Sequence, residues 1–435
     1  MFKKILLIST ALLLSTGVYA EEKTVEDDYN DWKANIQEDC SKNIRTGSIC
    51  DIGNLVDGEA NIVVTPQDPH WGEHRNAAYI EALTDAYVKF AREISLTHFT
   101  EVTTELGKNN PNIKISAKDK IDVIGDKMLA MMEGKLDAEL REMDIDPDQF
   151  RATPEIEKKV LLFKRTVIDS VSKAMGEVSG LIPYQTFEGP NDKNIYTIKV
   201  ALLKDPEKIS VIKSLFIHKD KIQPNASRKN ATSIYERFVK NLSKEKLYEN
   251  LGVRATYDEE GYPTFISYGQ WKIDESFDMI SGSMNKDFAK DQARMVAEDG
   301  FALFFDVSTT STTQRTHTID RQKYMEYVKN GVTIEDYIKR SASSAVESLT
   351  KTKTRGGFTN FPGIREIHNW TYKHPENGHR FYGVVLMWSP KTAKAANAIK
   401  NIKPKSLSEM NGSQNSGEAT SQFSNRVIRG IESDF

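Results

Sequence analysis

Two stretches of the chain carry alanines at four-residue steps: Ala78, Ala82 and Ala86, then Ala289, Ala293 and Ala297. Small residues at that spacing share one face of a helix and let a sheet approach closely. The pattern predicts helices over residues 75–96 and 286–304. Each follows a β-type run, at 61–65 and 263–269. Each precedes a Thr-rich stretch that reads as extended, at 97–105 and 306–319. The following segments also match. A helix near 155–178 leads to strands at 183–187 and 195–203, joined by a turn at 189–192. A helix near 334–349 leads to strands at 364–372 and 380–388, joined by a turn at 375–378. Asp205-Pro206 and Ser389-Pro390 then place a cap residue before a proline, a helix-start signal.

Six features in one order argue for two copies of one module. The expected fold class is α+β: two related domains, each with helices packed on one face of a mostly antiparallel sheet. The expected boundaries are 59–220 and 261–403. The first copy is longer, which fits a helical insertion within 113–150. There Ile121, Ile124, Met128, Met132, Leu136 and Leu140 recur at helical spacing. Residues 221–260 read as a helical linker, with a helix over 233–250 stopped by Gly252. Residues 404–435 are rich in Ser and Asn and predict a mobile tail.

The first twenty residues predict something other than fold. Lys3 and Lys4 precede an apolar run at 5–14, and Val18 and Ala20 set small residues before Glu21. This is the pattern of a secretory signal peptide over 1–20. No Cys follows it to take a lipid, and no later run is apolar enough to span a bilayer. The chain is expected to be periplasmic or secreted. Residues 21–58 then form an N-terminal arm with a short helix at 28–37. Cys40 and Cys50 are the only thiols, and at short range in an exported chain they are expected to form a disulfide.

The composition is ordinary for a globular protein, with 39% hydrophobic and 28% charged residues, which excludes wholesale disorder. A net charge of −3 argues against a nucleic-acid partner. Candidate chemistry is sparse. His70-Trp-Gly-Glu73-His74 matches H-x-x-E-H, the zinc signature of inverted zincin peptidases. In those enzymes both histidines lie on one helix face and the glutamate activates a zinc-bound water. Pro69 and Gly72 oppose a helix interior there, so the expected cofactor is none, with zinc on His70, Glu73 and His74 as the alternative. His317, His368, His374 and His379 gather in the second copy around a hairpin. Residues 351–355 are a basic run. No nucleophile elbow, phosphate loop or dinucleotide fingerprint occurs where a strand and helix would support it.

Some residues also carry a resemblance. Tyr268-Gly-Gln270 with Lys290-Asp-Gln-Ala-Arg-Met-Val-Ala297, and Ala77 to Tyr87 in the first copy, set a strand before an alanine-striped helix and a Thr-rich strand. That arrangement resembles the small envelope domain of bacterial flagellar assembly proteins P and T and related outer-membrane lipoproteins. The resemblance implies helices on one face of a sheet and a role in periplasmic rings. It implies no catalytic residues. The lack of a lipidation Cys and the long helical insertion depart from that group. The expected function is therefore non-enzymatic: a periplasmic scaffold or assembly factor of a cell-envelope structure, with envelope proteins or a second copy as partner. Met128, Met132, Trp370 and Tyr372 are candidates for the interaction surface. The alternatives are a zinc-dependent hydrolase and a secreted small-ligand binding protein.

Overall fold

Gly58 and Gly269 explain how the architecture closes. A Cβ on Gly58 would sit 2.2 Å from the Ala82 carbonyl oxygen and 2.3 Å from the Ala86 nitrogen. A Cβ on Gly269 would sit 2.0 Å from the Ala293 carbonyl oxygen and 2.5 Å from the Ala297 nitrogen. A strand glycine thus meets the alanine face of a helix twice. The same 211-residue offset separates Gly58 from Gly269, Ala82 from Ala293 and Ala86 from Ala297.

The computed structural model describes residues 23–45, 48–108, 112–133, 135, 137–142, 145–205, 210–211, 214–215, 222–275, 279–309, 321–351, 362–375 and 377–400. The first half runs α1 (Val25–Ser41), β1 (Leu55–Asn61), α2 (Trp71–Leu106), α3 (Ile121–Glu133), α4 (Asp137–Glu142), α5 (Pro147–Ala152), α6 (Glu155–Val178), β2 (Leu181–Pro190) and β3 (Tyr196–Lys204). The second runs α7 (Lys244–Glu249), β4 (Gly252–Tyr257), β5 (Pro263–Ile273), α8 (Met279–Thr309), α9 (Arg321–Lys329), α10 (Ile334–Lys351), β6 (Arg365–Lys373), β7 (Arg380–Trp388) and α11 (Pro390–Lys400). The fold is α+β, with two antiparallel sheets ordered β1-β3-β2 and β4-β5-β7-β6.

The two sheet-containing regions follow one plan. In each, the strand before the alanine helix pairs with the last strand of the hairpin, which pairs with the middle one. Gly58 faces Val200, and Val200 faces Thr186. Gly269 faces Val384, and Val384 faces Asn369. The hairpin's first strand breaks register two residues before Thr186 in one sheet and two before Asn369 in the other. The regions share one apolar core, in which Phe163 and Val200 of the first half join Ile266 and Val385 of the second. A second core lies between α8 and its sheet, around Phe265, Phe301 and Phe305.

Several expectations are corrected. Residues 97–105 are helical, because α2 continues to Leu106. The hydroxyls of Thr97, Thr100 and Thr103 donate to the carbonyls of Glu93, Leu96 and Phe99 at 3.1, 2.9 and 2.8 Å. Each threonine is thereby satisfied within the helix, while Phe99, Thr103 and Leu106 face the core. This removes the Thr-rich strand from the resemblance in the first half. In the second, residues 306–309 belong to α8 and 310–319 lie outside the described residues. The first strand is Leu55–Asn61, not 61–65, so it begins inside the range expected for the N-terminal arm. Its charged face hid it: Glu59 stands directly across from Lys199.

Residues 252–257 form β4 and pair with β5, so they belong to the second sheet and not to a linker. The helix expected over 233–250 is a π-helical turn (Glu236–Lys240) and then α7, restarted where Ser243 accepts the Lys246 backbone N–H at 3.1 Å. The signal peptide, Pro206, His317, 352–355 and the tail lie outside the described residues.

Lys199 ties α1 to the first sheet. Its ammonium lies 2.6 Å from Glu26, 3.3 Å from Asp57 and 3.2 Å from Glu59. It also sits 4.9 Å from the centre of the Tyr29 ring. Burial pulls the Lys199 pKa down, and the three carboxylates outweigh it, holding it above the ordinary lysine value. A raised folded-state pKa stabilises fully below the unfolded lysine value, and that contribution is lost as pH rises through the folded value. Lys199→Gln is expected to cost about 2 kcal/mol at neutral pH. It should also expose Trp32, which packs 5.3 Å from Phe187. The wild-type contribution should fade only in strong alkali. Urea unfolding followed by tryptophan emission checks both.

Candidate functional site

The residues around the H-x-x-E-H run do not assemble as a zincin would require. His70 is the cap residue preceding α2, so the two histidines do not share a helix interior. The His70 side chain is 66% exposed, and its Nδ1 lies 3.6 Å from Glu73. His379 is brought to this loop from the second half, but its Nε2 meets the Asp68 carbonyl at 2.9 Å. Among the described residues no three His, Cys, Asp or Glu side chains converge as metal ligands. Cys40 and Cys50 are joined as a disulfide, with Cα atoms 5.6 Å apart.

The residues expected as interaction surface lie inside. Met128 and Met132 are buried, because α3 packs on α6 and the strap before it pairs with the segment before α10. Trp370 is buried as well: its ring covers Gly383 on the neighbouring strand, where a Cβ would fall 2.1 Å from it. Tyr372 is half-buried, its ring 5.2 Å from that of Tyr248. These side chains fill the molecule because the two sheets and the helical layer close on one core. They do not form an outer face.

The group that pattern reading missed is Arg75, one turn into α2 and 1% exposed. Its Nε donates to Glu188 of β2 at 2.6 Å, Nη1 to Gln270 of β5 at 3.0 Å, and Nη2 to the Tyr248 carbonyl at 2.7 Å. The guanidinium lies 3.9 Å from the centre of the Tyr248 ring. Gln270 in turn donates to the carbonyls of Tyr248 and Asn250 at 2.6 and 2.8 Å. One buried cation therefore joins both sheets and α7. Burial opposes its charge, yet Glu188, Tyr248 and Glu249 together outweigh burial and its pKa is raised. A signal was present: Arg75 falls on the same helix face as Trp71, Ala78, Tyr79 and Ala82, where an arginine needs a buried partner.

Among the described residues, two features stand out as open to ligands or partners. The first is an apolar cavity of about 210 Å³ at the junction of α2, β4, β5, α8 and α10. Ile80, Leu251, Val296 and Leu303 give it apolar walls. Tyr79 lines it too, its hydroxyl pushed up to about 12 by burial. Asp299 stands at the rim and is exposed. Desolvation, and then the neighbouring Glu298, raise its carboxyl above the usual range.

The second feature is the outer face of α8. Ile280, Met284, Phe288 and Met295 are 75, 67, 54 and 53% exposed. Their spacing puts them in one row, opposite the buried Ala289, Ala293 and Ala297.

No helix among the described residues is long and apolar enough to cross a membrane. No curated protein matches the chain. A hypothetical protein of Francisella tularensis with a solved crystal structure is similar, at 21% identity and a TM-score of 0.49, over 88% of this chain and 93% of that one. Residues 121–216 match a family model described as a domain of unknown function, DUF6844. That span runs from α3 through β3 and covers the hairpin of the first sheet.

Proposed function

We propose that this chain is an exported, non-enzymatic scaffold or assembly factor of the cell envelope, and that the outer face of α8 seats a second copy. The apolar row on α8 carries the reading. Four large apolar side chains lie in line on a helix whose other face is already packed, a typical mark of an interaction surface. The disulfide and the leader pattern support export.

Charge pattern supports a second copy as occupant. Asp287, Lys290, Asp291 and Arg294 alternate about a midpoint between 290 and 291. Two antiparallel copies of α8 would set Asp287 against Arg294 and Lys290 against Asp291. The row therefore brings its own complement.

Sedimentation of the mature chain tests this. A dimer is expected, with Phe288→Glu and Met284→Glu each sedimenting as a folded monomer. A wild-type monomer up to about 100 µM, where a dissociation constant near 10 µM would show, overturns the reading.

A further inference from the structure

We propose that the cavity between α2, β4, β5 and α8 is a binding site for a compact apolar amine, its ring system against Ile80, Val296 and Leu303 and its ammonium at Asp299. The volume sets the size. An apolar cavity of roughly 150 Å³ accommodates benzene, so about 210 Å³ fits a fused bicyclic ring. The walls set the body of the ligand, since they are mainly apolar, with Asn76 and Thr350 the neutral polar members.

Asp299 sets the head. It is the one charged side chain among the described residues that line the cavity. Its carboxylate makes no hydrogen bond or ion pair among the described residues, and its charged neighbour is another acid, Glu298. Arg294 lies 3.0 Å from Glu298, not at Asp299. A carboxylate beside apolar walls gains from an arriving cation. An arriving carboxylate would meet repulsion. The cavity lies against both halves, so occupancy would also brace α2 against α8.

The decisive measurement is calorimetric titration of the full mature chain with three probes sharing one ring: tryptamine, tryptophol and indole-3-acetate. Tryptamine is expected to bind at one site. Tryptophol should bind about fivefold more weakly, as for loss of an exposed ion pair, and indole-3-acetate more weakly still. Asp299→Asn, at the rim and outside the packed core, should bring tryptamine and tryptophol to the same affinity while leaving the unfolding midpoint in place. Val296→Trp fills the cavity and should abolish all three titrations; should it not fold, Ile80→Trp takes its place. The proposal is overturned if tryptamine gives no saturable heat up to millimolar concentration. It is equally overturned if indole-3-acetate binds as well as tryptamine, or if a folded cavity-filling variant titrates like the wild type. Self-association through α8 is read by sedimentation, so the failure of one proposal leaves the other standing.

Discussion

Gly269→Val is expected to leave no cooperatively folded second sheet, and Gly58→Val to do the same to the first. The reason is steric and local. At both sites the first carbon of any side chain would fall within 2.3 Å of helix backbone, which has no rotamer to change. Alanine alone should cost about 3 kcal/mol or more, the upper range for forced overpacking, because strand and helix must separate along their length. Separation at Gly269 also strains the buried bond from the Ser267 hydroxyl to the Ala297 carbonyl, 2.7 Å long. Gly282 supplies the control. It lies in α8 with nothing within 4 Å of where its Cβ would be. Gly282→Ala should therefore be neutral or stabilise by about 0.5–1 kcal/mol through helix propensity. Urea midpoints of the three alanine variants decide it. A Gly269→Ala protein as stable as Gly282→Ala would mean that the close approach does not hold the sheet.

Arg75→Met should be the next most damaging change, at about 3–5 kcal/mol. Most of that cost comes from what remains. Glu188, only 10% exposed at its side chain, would keep a charge with no cation, and Gln270 and the Tyr248 carbonyl would each lose a donor. The pair itself need not stabilise much, since burying both charges costs nearly what their attraction returns. The double variant Arg75→Met, Glu188→Met should therefore recover much of the loss. A double-mutant cycle reads this directly. If the double variant is no better than Arg75→Met alone, the bonds to Gln270 and Tyr248 are what matter, and the carboxylate is incidental.

Periodicity and capping served where a segment's neighbours lie close in sequence. Residues 155–178 and 380–388 take the bounds that apolar spacing predicts. Ser389-Pro390 does start a helix. The matching alanine steps pointed to two regions of one design, and the shared strand order, glycine contact and register break agree with that. The reading failed where a distant partner changes what a residue needs. Thr97, Thr100 and Thr103 look extended until α2 gives their hydroxyls a carbonyl one turn back. Residues 55–58 read as part of an N-terminal arm until Lys199 supplies a counter-charge to Asp57 and Glu59 from β3.

Much the same holds for the candidate sites. Met128 and Trp370 are large and apolar, which marks a core and an interface equally. Only closure of the two halves on one core decided that both are inside. Conversely, nothing in the spacing of Ile280, Met284 and Phe288 says that no helix among the described residues covers them.

The chain by itself determined the alanine faces, the helix start at Ser389-Pro390, the hairpins and the cysteine pair, because each depends on residues a few positions apart. Tertiary structure alone decided which faces are covered, which buried charge finds a partner and where space is left between the halves. Those depend on groups brought together across as many as 311 residues, as Asp68 and His379 are, and local sequence carries no record of such a meeting.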